Sequence, residues 1–199
     1  MILPTIIQAI HKLPKSRRIY LLLFLFTLTS FDILAAEKRT PAYEDEDVYI
    51  RLFSRSPNQM AAFYEGREFP KNAINRIIKV CNVTTIIHNK TSDFLWIDLD
   101  KWKFKKNGKM IPRIDREYWK KQWKEIKLSA AHQATFGWTL MPEVRDLHPD
   151  EGVGGSTNVP WQTEPFDITF NFPVGKNQSK KMKSVTIKRF QCKENKEDE

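Results

Sequence analysis

Apolar positions along the chain change period several times, and each change predicts an element. Val48 to Phe53 reads as a short strand. Ser56-Pro57-Asn58-Gln59 then has the form of a helix start, with Ser as cap, Pro in the first turn and Gln reaching back. Met60, Ala61, Phe63 and Tyr64 supply an apolar helical face, and Gly66 stops it. A second helix is predicted from Pro70, carrying Ile74, Ile77, Ile78 and Cys81 at helical spacing. Together they make a short helical hairpin ahead of the strands.

The period then becomes two. Cys81, Val83, Thr85 and Ile87 share one face of a strand, with Asn82, Thr84, Ile86 and His88 on the other. After a polar turn at Asn89 to Asp93, Leu95, Ile97 and Leu99 define a second strand, and Asn107-Gly108 marks a tight turn. Arg116 to Ile126 is predicted as an inserted helix, capped by Asp115, with Trp119, Trp123 and Ile126 on one face. Phe136, Trp138 and Leu140 alternate with Thr135, Gly137 and Thr139, which predicts a strand. The stretch from Leu147 to Pro160, with Pro149, Gly152, Gly154 and Gly155, predicts a long loop. Phe166, Ile168, Phe170 and Phe172 give the clearest alternation of all. In the last strand Val185 and Ile187 fall out of phase with Phe190 and Cys192, so a bulge near Lys188-Arg189 is expected. The pattern as a whole predicts a mainly β fold, an antiparallel β-sandwich of immunoglobulin-like type, with the helices added to it.

Ahead of this patterned region, Lys12, Lys15, Arg17 and Arg18 abut an uncharged run from Ile19 to Phe31, and Ala35-Ala36 follow. A basic flank, a short apolar run and small residues form the layout of a signal peptide or signal-anchor over 1–36. The run is shorter than the roughly 20 residues a spanning helix needs. Residues 37–47 read as a polar linker, 48–193 as one domain, and 194–199 as a disordered charged tail. The expected location is outside the cytoplasm: the periplasm or outer face of the inner membrane in a bacterium, secreted otherwise. In such a compartment the two cysteines, Cys81 and Cys192, are expected to pair.

Charge narrows the partners. The chain carries a net +9; four cations and Asp32 give +3 to residues 1–36, leaving +6 beyond them. For an exported protein this points to an anionic envelope component, a membrane surface or an acidic protein rather than nucleic acid. The densest basic-aromatic stretch lies between Lys101 and Lys127, and Lys101, Trp102, Lys120, Lys121, Trp123 and Lys124 are its candidate binding residues. The competing explanation is a charged face above a tryptophan stripe that belongs to the core.

Other chemistries have thinner support. His132, Met141 and His148 offer imidazole and thioether for copper, which makes a periplasmic metal chaperone the first alternative. Asp98 and Asp100, two apart on a strand, and the acids of the loop after Glu143 make an envelope hydrolase the second. No Gly-x-Ser-x-Gly, His-Glu-x-x-His or phosphate-cradling motif occurs, and no cofactor is implied. Asn82, Asn89 and Asn177 each begin an Asn-x-Ser/Thr triplet. The resulting expectation is a non-catalytic binding or structural protein of the cell envelope.

Overall fold

A computed structural model describes residues 42–178 and 181–195, which fall in one compact unit, Pro41–Glu199. The predicted signal segment, the start of the linker and the last four residues of the tail lie outside the described residues. The chain runs β1 (Tyr43–Glu44), β2 (Val48–Ser54), α1 (Pro57–Glu65), α2 (Lys71–Ile77), β3 (Val80–Asn89), β4 (Leu95–Asp98), a 3-10 turn (Leu99–Lys101), β5 (Lys103–Lys106) and β6 (Lys109–Ile111). It continues with α3 (Arg116–Glu125), α4 (Ala130–Thr139), β7 (Val144–Leu147), β8 (Gly152–Pro160), β9 (Phe166–Val174) and β10 (Lys181–Phe190).

The protein is mainly β, with two antiparallel sheets. The first has the order β1-β2-β3-β8; in the second, β9 pairs with β10 along one edge and with β5 and β4 along the other. Strand β3 is buried on both faces for a reason visible in its register. Cys81, Val83 and Ile87 enter a cluster with Phe166, Ile168, Phe170 and Phe172 of β9, Phe104 of β5 and Val185 of β10. The opposite face carries Asn82 and Thr84, whose cross-strand partners are Asn158 and Ser156 of β8. A second apolar cluster, built by Met60, Tyr64, Ile74, Ile77, Trp119, Trp123 and Phe136, joins the four helices. Among the described residues no helix is long and apolar enough to cross a membrane.

Local chemistry explains the helix ends. Ser56 and Gln59 form a reciprocal capping box at α1, with Pro57 in its first position. Asp115 caps α3 by accepting the Tyr118 N–H at 2.7 Å, and Ser129 caps α4 by accepting the His132 N–H. The expected bulge in the last strand is present between Ile187 and Phe190. Cys81 and Cys192 are joined by a disulfide, tying β3 to the chain just past β10.

Two expectations are corrected. Residues 130–139 form a helix, not a strand: Ser129 caps an alanine-containing turn, and Phe136 gains more by packing at 4.7 Å and 5.0 Å on Trp119 and Trp123. The expected loop at 147–160 contains a nine-residue strand, β8, paired with β3. Gly155 serves close approach: a Cβ there would lie 2.6 Å from the Met141 backbone. Within the expected linker, Tyr43 and Glu44 pair with Ile50 and Tyr49. At the other end Asn195 accepts the Asn58 N–H at 2.8 Å, so the charged tail is tied to α1 up to that residue.

Candidate functional site

Helix α3 is amphipathic, and the structure divides its residues sharply. Trp119 and Trp123 are each only 2% exposed and stack on one another at 5.0 Å. The indole Nε1 of Trp119 donates to Asn158 Oδ1 at 3.1 Å, so the buried polar atom of the ring is satisfied by β8. Lys120, Lys121 and Lys124 are exposed on the other side of the helix. Lys120 pairs with Glu117, whereas Lys121 and Lys124 have no carboxylate partner among the described residues.

The expected basic-aromatic surface therefore separates into surface and core. Trp123 belongs to the helical cluster, and Trp102 to the cluster shared by the two sheets, where it meets Phe170 edge-on at 4.6 Å. The indole N–H of Trp102 is buried without a hydrogen-bond partner. Lys101 is half-buried and paired with Asp98. Burial of apolar rings outweighs any benefit of displaying them, which is why neither candidate tryptophan is at the surface.

The surface aromatics are others. Trp138, at the end of α4, is 83% exposed, and Tyr118 is 42% exposed. Trp138 lines a groove of about 390 Å³ between α3 and α4 together with Arg116, Lys120, Trp119 and Phe136. Arg116 fixes the geometry of that groove. Its guanidinium donates to the carbonyls of Gly137 at 3.3 Å and Met141 at 3.2 Å, and lies 3.7 Å from Glu143. The period-two pattern over 135–140 hides Trp138 in an expected strand; the Ser129 cap followed by Ala130, Ala131 and Ala134 is the helical signal.

A wider trough of about 620 Å³ lies on the face of the first sheet. Tyr49, Ile86, His88, Gly152 and Gly154 line it. His88 Nε2 is 3.7 Å from Asp150 Oδ1, and Lys90 Nζ is 2.9 Å from Glu44 Oε1.

The metal candidates are not brought together as a site. His132 packs at a tilt against Phe69 at 4.6 Å with its Nδ1 on Ser129 Oγ, and His148 packs at a tilt against Phe94 at 4.6 Å. Met141 is buried in the cluster shared by the two sheets. Among the described residues no group of three His, Cys, Asp or Glu side chains is placed to hold a metal ion. The carboxylate pair is likewise engaged, Asp98 with Lys101 and Asp100 with Arg113 at 3.2 Å. In the loop, Glu143 pairs with Arg113 at 2.7 Å, and Glu151 pairs with Arg145. The Glu151 carboxyl is held below its ordinary range by the His148 N–H and by Arg145. No family model, curated protein or solved structure matches this chain.

Proposed function

We propose that the protein is an exported, non-catalytic binding or structural component of the cell envelope. The exposed face of α3, with Trp138 beside it, contacts an anionic membrane surface or envelope partner. The observation that carries this reading is the 83% exposure of Trp138 in a groove it shares with Lys120 and Arg116. An indole left in water beside cations suits a headgroup region, where its ring is half apolar and half polar. Lys121 and Lys124 add charge that no carboxylate of the described residues neutralises. The engaged states of Asp98 and Asp100 favour binding over hydrolysis, and no cofactor is invoked.

The same proposal includes an extracytoplasmic address and an immunoglobulin-like sandwich. The Cys81–Cys192 bridge supports an oxidising compartment. One apolar cluster fed by both sheets supports the sandwich. Sedimentation with vesicles containing anionic lipid tests the surface. The wild type should sediment in a salt-sensitive way, and the combined variant K120E/K121E/K124E should stay in the supernatant. Trp138→Ala should weaken sedimentation at high salt, where the indole carries most of the contact. Sedimentation of the triple reversal at wild-type levels would rule the surface out.

A further inference from the structure

Three arginines and two phenylalanines form an alternating row that no sequence motif announces. The Arg51 guanidinium lies 5.1 Å from the centre of the Phe53 ring, and the Arg55 guanidinium 5.2 Å from it. Arg55 is also 5.6 Å from the Phe63 ring, over which Arg67 sits at 3.6 Å. The row thus runs from β2 to the end of α1. Arg55 donates to Thr84 Oγ1 at 3.4 Å and Arg67 to the Phe63 carbonyl at 2.8 Å. None of the three has a carboxylate partner among the described residues. By contrast, Arg76, Arg113, Arg116 and Arg145 each have at least one.

Packing on an aromatic ring restrains a guanidinium while leaving most of its N–H groups available, so part of the ordering cost of binding an anion has already been met. With two guanidiniums on each, the rings act as spacers for cations rather than as platforms for a nucleobase or sugar. What the row offers outward is a series of planar donors suited to carboxylates. Next to it lies the apolar trough. Ile86 is the cross-strand partner of Arg51, and it lines the trough with Tyr49, His88, Gly152 and Gly154. Free polyanions have no group to place there.

We propose that this face binds an acidic, extended segment of a partner protein. Its carboxylates engage Arg51, Arg55 and Arg67, and an adjoining apolar side chain occupies the trough. This surface is separate from the lysines of α3, so it can be tested separately.

The test titrates a labelled peptide of acidic residues with one phenylalanine into the full-length protein, alongside the same peptide lacking phenylalanine. Binding of the first should weaken by about tenfold or more in R51Q/R55Q. It should weaken comparably in Arg55→Lys, which keeps the charge but loses the planar fork. Gly154→Leu, which fills the trough, should remove the advantage that phenylalanine confers. The K120E/K121E/K124E variant should bind like the wild type. Thermal melts accompany each variant, and Arg55→Lys carries the test if the double variant melts early. Peptide affinity indifferent to Arg55→Lys would overturn the proposal. So would inorganic polyphosphate or anionic vesicles competing more strongly than the peptide with the same arginine dependence, since the row would then be a general polyanion site.

Discussion

At the residue scale, several side chains are fixed by demands that a sequence pattern does not express. Asn89 is fully buried, and its amide nitrogen donates to the carbonyls of Asp93 at 2.8 Å, Leu147 at 3.0 Å and His148 at 3.0 Å. It reads from sequence as the first residue of a polar turn, yet it pins three chain segments together. Asn89→Ala removes all three of these buried bonds and should destabilise the protein by about 2–3 kcal/mol in urea unfolding. An Asn89→Asp variant that is equally stable would show that the amide donors are not needed. Gly155 and Gly154 make a sharper contrast. A Cβ at Gly155 meets the Met141 backbone at 2.6 Å, whereas at Gly154 it makes only ordinary contacts, with the Ile86 Cγ1 at 3.7 Å and the Thr85 carbonyl oxygen at 3.9 Å. Gly155→Ala should therefore cost about 2 kcal/mol or more, and Gly154→Ala about 0.5 kcal/mol or less. Equal melting temperatures for the two alanine variants would contradict the close approach seen at Met141.

At the element scale, the legible parts of the sequence were those where local chemistry and packing agree. The capping box of α1, the Asp115 cap of α3 and the alternation of β9 all coincide with the elements found. The failures share one cause. Residues 135–140 have a period-two pattern by coincidence, and 152–160 have a glycine content that resembles a loop. Both are decided by partners distant in sequence: Phe136 by the tryptophans of α3, and β8 by its ladder with β3. The candidate site follows the same rule, since the choice between display and burial of Trp102 and Trp123 is decided by clusters whose members lie far apart in sequence. A further element-scale feature is the clamp between β10 and the β1–β2 turn. Lys183 bonds Asp45 and also Asp47, the latter at 2.9 Å. Burial alone would raise the Asp45 carboxyl. Bonds from Lys183, Tyr43 and the N–H groups of Val48 and Asp47 outweigh it and hold the carboxyl well below its ordinary value of 3.8. For Lys183, burial would lower the pKa, but the two aspartates raise it above its ordinary value of 10.5. A depressed carboxylate stabilises the fold above its unfolded pKa and loses that contribution as pH falls toward the folded one. A raised amine stabilises below its unfolded pKa and fails only as pH rises through the folded one. The clamp should thus be intact at neutral pH and weaken below about pH 4. Lys183→Met should flatten the acid limb of the stability curve. If stability between pH 5 and pH 2 falls as steeply in Lys183→Met as in the wild type, other carboxylates govern that limb.

At the scale of the whole molecule, the Cys81–Cys192 bridge connects the first sheet to the end of the second across a sequence separation of 111 residues. Its pairing was legible because two cysteines leave one intramolecular choice. Its mechanical meaning was not, since that depends on which sheets the two residues join. Both cysteines lie in the cluster shared by the two sheets, so the bridge is buried among Val83, Val159 and their neighbours. In the chain-entropy account, closing a loop of that length restricts the unfolded state by about 4–5 kcal/mol. Other observations indicate that the second apolar cluster is less dependent on it. Met60, Tyr64, Trp119, Trp123 and Phe136 gather the four helices without either cysteine. Replacing both cysteines with alanine should accordingly lower global stability by several kcal/mol while the tryptophan stack of α3 stays buried at moderate denaturant. Hydrogen exchange should then rise first along β10, whose outer edge has no neighbouring strand among the described residues. Exchange rising uniformly over helices and strands would mean that the bridge holds the whole unit together, and that the helical cluster has no stability of its own.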